Sequence, residues 1–441
     1  MKKLLSIGMC VLLAISLCAA PVLAETPSYL AASTPEYTTF GSVPFFFANG
    51  TPITIAENPD GAGALITWEG DSQVVAANTN VFGGGHDHDG TYESTSITMT
   101  GGTVRNLFGG GLHKSSVETS NVVMTGGTVN GAQGGGASSL THDCGCGNAN
   151  PWYAGDAQQS PCKVNNANIS VSGGSAFLLF GGGEGISCTG NANVSVSGTA
   201  DVEYVTAGGS NGYTGDAEMN ISGGSVLVAQ SVNRGTMNSA QIVITGGTVE
   251  NAYAGGETGD TSVTGSISSI AVRVEGGTVE SLTPGKSGGT VITPDAQNTE
   301  VTLSYLPGTV TNEDTLKTDF GADAAKVLFT VSFNTNGGSA VQSVLVEEGG
   351  LVPAPAAPTK DGYTFAGWHK GSADGEAWDF ANDTVSGDLV LFAAWNEVVP
   401  EEPTPDPEAP ATGDQSMLAL LGLMACAAAG SIVLAKKKLG E

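Results

Sequence analysis

Basic residues are scarce in this sequence: 15 Lys and Arg stand against 43 Asp and Glu, a formal net charge of −28. Five of the lysines (Lys2, Lys3, Lys436, Lys437 and Lys438) sit at the extreme ends, so the body between them is more acidic still. A surface of that sign is repelled by phosphate backbones, which excludes nucleic acid as a partner. Charge of either sign is sparse at 13%, and aromatics reach only 6%. With 40% apolar residues the chain nevertheless has enough to bury, so global disorder is excluded. Glycine is what the sequence has in excess, 65 residues of 441.

Long apolar runs are confined to the two ends. Met1-Lys2-Lys3 is a positive start, Leu4 to Ala20 is apolar, and Val22-Leu23-Ala24 places small residues at a peptidase site. Residues 1–24 therefore read as a secretory signal helix, and the mature chain is expected to begin at Glu25. At the other end Pro400 to Pro407 is a Pro/Glu-rich spacer. Ala409-Pro410-Ala411-Thr412-Gly413 follows, within a linker at 398–416. Met417 to Ala435 then gives an uncharged stretch long enough to cross a membrane as a helix, and residues 436–441 carry the basic tail on the cytoplasmic side. This order resembles the cell-wall sorting signal of Gram-positive surface proteins, with Ala409 where that signal has Leu. The resemblance implies sortase cleavage between Thr412 and Gly413 and attachment to peptidoglycan. Without cleavage the helix would anchor the chain in the membrane. Either outcome places the protein outside the cell.

Between these ends the sequence repeats. Gly-Gly-Thr-Val or a close variant starts at Gly101, Gly126, Gly173, Gly223, Gly246 and Gly276, with a degenerate copy at Gly198. The period is about 25 residues, and one long step holds an insertion at 137–166. Four and two places before each start lie Ile97/Met99, Val122/Met124, Ile169/Val171, Val194/Val196, Met219/Ile221, Ile242/Ile244 and Val272/Val274, and the residues between and after them are mostly Thr or Ser. Alternation of period two means a strand with one buried and one wet face. A further apolar residue follows at Val104, Val129, Val226, Val249 and Val279, and a second glycine cluster turns the chain at 83–85, 109–111, 134–136 and 181–183. One such repeat cannot bury its own apolar side chains, whereas stacked repeats share a core. The expected fold is therefore all-β: a right-handed parallel β-solenoid (β-helix) over 62–300, of about eight rungs and roughly 40 Å long. The competing arrangement is an antiparallel sandwich, disfavoured by the lack of regularly spaced hairpin signals. Residues 25–61, with Phe45-Phe46-Phe47, are expected to cap one end, and 301–327 to cap the other and connect it onward.

Residues 328–397 break the period. Phe329 to Gly338, Pro358 to Trp368, Trp378-Asp379-Phe380 and Leu391 to Trp395 carry a different pattern. The segment resembles the Listeria–Bacteroides repeat, also called the internalin B-repeat. The resemblance implies a small β-grasp-like module of extracellular stalks and adhesins, without catalytic residues. From the residues themselves, Trp368, Trp378 and Trp395 read as the core of a small module.

Four cysteines remain once the termini are set aside: Cys144, Cys146, Cys162 and Cys188. In a secreted chain they read as disulfides. Pairing Cys144 with Cys146 across one residue is strained, and either remaining pairing staples the insertion to the strand of Cys188. His86, His88, His113 and His142 follow successive glycine corners, with Asp87, Asp89 and Asp143 nearby. At one rung's spacing these side chains could hold a transition metal; the plainer reading is polar residues on solvated loops. Gly-Asp pairs recur at 155–156, 215–216 and 259–260, but the tandem nonapeptide of calcium-binding rolls is missing. No cofactor is implied.

Glycan-cleaving β-helices need paired carboxylates, or carboxylates beside a base, on adjacent rungs. Here the outward positions are Thr, Ser and Asn, the arginines are only Arg105, Arg234 and Arg273, and no Ser/His/Asp arrangement is recognisable. A polysaccharide lyase or hydrolase of extracellular glycans stays as the alternative, on fold analogy alone. The expected role is that of a non-enzymatic, adhesin-like surface protein binding a glycan or a protein. Trp152 and Tyr153 of the insertion are the candidate ligand-loop residues, because that is where the period is broken.

Overall fold

The computed structural model describes residues 29–86, 90–113, 115–137, 163–185, 187–210, 212–233, 235–258, 266–285, 290–292 and 300–399. Among them one short helix, Glu313–Asp319, accompanies an otherwise all-β chain. Among the described residues no helix is long and apolar enough to cross a membrane. The signal segment 1–24 and the stretch Met417–Ala435 lie outside them.

The repeats stack as two ladders of parallel strands, and the chain alternates between the ladders as it passes from repeat to repeat. The first ladder contains Ile53–Glu57, Gly90–Met99, Ser115–Met124, Lys163–Val171, Cys188–Val196, the first halves of Tyr213–Gln230 and Thr236–Tyr253, Ser266–Val274 and Glu300–Tyr305. The second contains Val43–Phe47, Asn80–Phe82, Thr103–Phe108, Thr128–Gln133, Ser175–Phe180, Asp201–Thr206, the second halves of the two long strands, and Thr278–Thr283. These pairings between repeats are parallel, not the antiparallel pairings a sandwich needs.

Register follows the apolar pattern. All seven pairs from Ile97/Met99 to Val272/Val274 occupy the same two positions of the first ladder, extended by Ile53/Ile55 before them and Leu303/Tyr305 after them. Every one of these side chains is buried. In the second ladder Val104, Val129, Ala176, Val202, Val226, Val249 and Val279 align, and three places on so do Leu107, Ala132, Leu179, Val205, Ala229, Ala252 and Leu282. Together they form one continuous core. Burying each large aliphatic side chain contributes about 1.5–3 kcal/mol, and the covering surface comes from the neighbouring repeat.

The two glycine clusters are needed for different reasons. The second glycine of each Gly-Gly-Thr-Val, as at Gly127 (φ 90°) and Gly174 (φ 80°), is left-handed, where a side chain is strained. The triple-glycine corners stack backbone on backbone. Gly110 N–H donates to the Gly135 carbonyl at 3.0 Å, and Gly135 N–H to that of Gly182 at 3.1 Å. A Cβ on Gly135 would lie 2.5 Å from the nitrogen of Gly183, so no side chain fits. Beside these corners Phe47, Phe82 and Phe108 stack at centroid spacings of 5.3 and 4.4 Å.

At the N-terminal end Glu36–Phe40 forms an antiparallel hairpin with Val43–Phe47. Ile53–Glu57, Ala64–Trp68 and Asp71–Val75 form an antiparallel meander. The segment read as a cap thus also supplies a strand to each ladder, and the boundary drawn at 61/62 falls inside the meander. At the other end Leu316 of the short helix is buried in the shared core.

The strand Ala325–Asn334 leaves the ladder and enters a second, smaller sheet. Its first residues pair with Leu303–Tyr305, and the rest pair antiparallel with Val344–Glu347 and parallel with Leu389–Glu397. Tyr363–Lys370 lies antiparallel on the other side of Leu389–Glu397 and carries the short strand Glu376–Ala377 at its edge. Trp368 is buried here, edge-on to Phe333 and Phe365, while Trp378 and Trp395 pack half-buried against the same core.

Candidate functional site

The period-two pattern that buries the aliphatic residues turns their neighbours outward, so the first ladder presents a flat polar face. Asn121, Asn168 and Asn193 occupy one position of consecutive strands. Asn168 Nδ2 donates to Asn121 Oδ1 at 3.1 Å, and Asn193 Nδ2 to Asn168 Oδ1 at 2.9 Å. A second pair, Asn191 to Asn166 at 3.0 Å, runs beside them. Farther along, Ser239 Oγ donates to Asp216 at 2.6 Å, and Asn220 Nδ2 to Glu218 at 2.8 Å. The bonds between strands hold side-chain amides and hydroxyls at the spacing of the strands, an array suited to contacting a polymer with repeating hydrogen-bonding groups. On the second ladder Phe177 is 44% exposed, and its ring meets Tyr204 edge-on at 5.7 Å. The sequence reading expected outward Thr, Ser and Asn but not the hydrogen-bonded asparagine ladder, and it missed the Phe177–Tyr204 pair. The first had a signal: asparagine precedes the leading aliphatic residue in three consecutive repeats.

The insertion leaves from a fixed base. Ala137, at its start, bridges Leu112 on one side and Glu184 on the other. Lys163, where the chain re-enters the ladder, is in register with Cys188. Val164 sits directly on Val117, so 47 residues separate partners that are 25 apart in the next repeat, without loss of register. Gln133 Nε2 donates to Glu184 at 3.1 Å, the Lys163 N–H to Ser116 Oγ at 3.2 Å, and Asn165 to the Glu118 carboxylate. Cys188 is buried and disulfide-bonded. It is the one cysteine among the described residues. Cys144, Cys146 and Cys162 lie outside them, as do Trp152 and Tyr153.

The histidine group divides in the same way. His86 and Leu112 are bridged in parallel. The His86 ring lies 5.1 and 5.2 Å from those of Phe40 and Phe47, at the end of the phenylalanine stack. His113 follows Leu112 with a left-handed backbone, φ 56°. His88 and His142 lie outside the described residues, together with Asp87, Asp89 and Asp143. Among the described residues no cluster of three or more His, Cys, Asp and Glu is placed to hold a metal ion. Ala409, Pro410, Ala411, Thr412 and Gly413 are likewise outside.

Three groups among the described residues have a shifted titration. Burial raises the phenol of Tyr92, and burial raises that of Tyr305, with a smaller lowering by the Lys317 charge and a smaller raising by Glu313. Asp379, in the smaller sheet, is held below the usual carboxylate range by the Asn382 side chain and then by the Ala381 N–H. That bonding closes a turn at a fully exposed position.

The second sheet has a counterpart in known proteins. Residues 329–394 match the Listeria-Bacteroides repeat domain. A Gly-rich membrane protein of Evansella cellulosilytica, so described, is 49% identical over 67 residues, which is 15% of this chain and 8% of that protein. Another protein of the same organism, described as a membrane protein, is 46% identical over 68 residues, 15% of this chain and 10% of its own. Internalin H of Listeria monocytogenes is 35% identical over 85 residues, 19% of this chain and 14% of its own. The chain therefore spans a small fraction of each of these relatives, and the likeness concerns a Listeria-Bacteroides repeat module.

Proposed function

We propose that this is a non-enzymatic protein of the bacterial cell surface, in which a right-handed parallel β-solenoid built from the two ladders is displayed on the Listeria-Bacteroides repeat module. The carrying observation is the in-register polar face of the first ladder on a body that runs without a break into a module shared with an internalin and two membrane proteins. A regular array of amides and hydroxyls on the first ladder, with the exposed Phe177 beside the half-buried Tyr204 on the second, fits a binding role toward an extended glycan or a protein. The predominance of Thr, Ser and Asn at the outward positions, and only three arginines in the repeat region, disfavour cleavage of that ligand. The signal segment, the spacer and the Ala409–Gly413 motif support export and attachment to peptidoglycan through Thr412, or to the membrane through Met417–Ala435.

Two measurements test this reading. Mass spectrometry of cell-wall digests should find Thr412 joined to a peptidoglycan fragment; a chain ending at Glu441 in the membrane fraction would replace wall attachment by membrane anchoring, and a chain free in the medium would remove the tether. Incubated with a glycan array, the secreted chain should be retained without turnover. Release of reducing ends or unsaturated sugars would favour the β-helix lyase or hydrolase instead.

A further inference from the structure

The chain enters the Listeria-Bacteroides module on Ala325–Asn334 and leaves it on Leu389–Glu397. These two strands are neighbours inside the sheet and run parallel, with Val331 on Leu389, Ser332 on Val390, Phe333 on Leu391 and Asn334 on Phe392. Entry at the start of one strand and exit at the end of the other put the two chain connections at opposite ends of the pair. A pull on the chain therefore slides one strand along the other, and their hydrogen bonds carry the load together instead of opening one after another. Val331, Leu391 and Ala393 beneath the pair are fully buried, which keeps water from replacing those bonds. The exit strand is also braced beyond the pair. Asn336 Nδ2 donates to the Ala393 carbonyl at 2.7 Å, Trp395 Nε1 to that of Thr335 at 2.9 Å, and Val398 N–H to that of Gly362 at 2.8 Å.

Among the described residues, the chain that enters the module is already held by the repeat body. The strand that enters it is already paired with Leu303–Tyr305 in the first ladder. Glu347 accepts a hydrogen bond from Ser304 and lies 3.9 Å from the Arg273 guanidinium, and Lys317 lies 3.1 Å from Glu348. Each of these contacts joins the repeat body to the strand Val344–Glu347 or the residue after it.

We propose that the module is a force-bearing clamp, which keeps the repeat body attached when the chain is stretched between a bound surface and its C-terminal anchor. The biological role rests on the tethered reading above; the mechanical property does not. Single-molecule pulling on the whole secreted chain tests it, with handles on azide-bearing residues at exposed positions. Handles at Asp323 and Val399 load the pair in shear, whereas handles at Ala340 and Val399 pull both strands from the same end and unzip them. The rupture force should be several-fold higher in the first arrangement, with an extension equal to the whole module in one step. Equal forces in the two arrangements would overturn the clamp. A high shear force in a chain that wall digests show to be untethered would keep the clamp and remove its proposed use; equal forces in a wall-linked chain would do the reverse.

Discussion

Replacing Gly135 by alanine should unlock the stack of repeats at one of its triple-glycine corners. The new methyl would lie 2.5 Å from Gly183 N and 2.7 Å from its Cα, and these are backbone atoms that cannot rotate aside. Relief requires the two repeats to separate, which strains the Gly135–Gly182 hydrogen bond and its stacked neighbour from Gly134 to Phe180. Overpacking of this kind costs about 1–3 kcal/mol and a lost backbone bond about 0.5–1.5 kcal/mol, less the roughly 0.4–1 kcal/mol gained by stiffening the unfolded chain. A net loss of about 0.5–4 kcal/mol follows, centred near 2 kcal/mol. Gly131→Ala is the internal control. It lies on the strand that leads into this corner, Thr128–Gln133, yet its Cβ would meet only the amide of Asn106, 2.9 Å from Oδ1, and a side chain can turn away. That variant should fall between neutral and about 1 kcal/mol more stable. Urea unfolding followed by circular dichroism should shift the midpoint down for Gly135→Ala alone, and hydrogen exchange should place the damage in the repeats on either side of the corner. Coincident unfolding curves for the two variants would refute the claim that the corners are glycine because backbone meets backbone.

Asn168→Ala removes the middle of the asparagine array and both of its bonds, so it should cost about 1–2 kcal/mol by the same urea assay and, if the face binds a ligand, weaken retention on a glycan array. Leu391→Ala empties a fully buried site in the module and should cost about 2–5 kcal/mol there, seen as early loss of near-ultraviolet signal from Trp368 and Trp395 while the repeat body stays folded. Asp379 has a folded-state pKa below its unfolded value, so its contribution is present above the ordinary aspartate pKa and disappears as pH falls through the lower folded value. Acid titration of the module should therefore lose some of its pH dependence below about pH 4 in Asp379→Ala, and an unchanged profile would show that the turn contributes nothing.

The strands of the repeat body were readable because their signal recurs. Ile97/Met99 or Val194/Val196 alone is compatible with many structures, but seven such pairs in one phase leave a single register that buries them all, and the observed alignment follows it. The strands Val43–Phe47 and Ile53–Glu57 escaped the sequence reading because they lack the Gly-Gly-Thr-Val marker, and the intervening meander interrupts the period before Asn80. The continuity of Ala325–Asn334 between body and module was equally hidden: a change of sequence pattern at 328 marks a change of partner, not a break in the strand. His86 shows the limit for side-chain chemistry. Its place after a glycine corner was legible, but its stacking on Phe40 and Phe47 depends on a hairpin some forty residues earlier in the chain.

The insertion between Ala137 and Lys163 shows that the length of one corner is independent of the order of the stack. Residues on either side of it keep the same neighbours that a short turn would give them. New segments can therefore be spliced in at this position, by natural variation or by protein engineering, and presented at a set height on an unchanged scaffold. A lineage exposed to changing hosts or competitors could vary what it shows there while leaving the rest of the gene untouched.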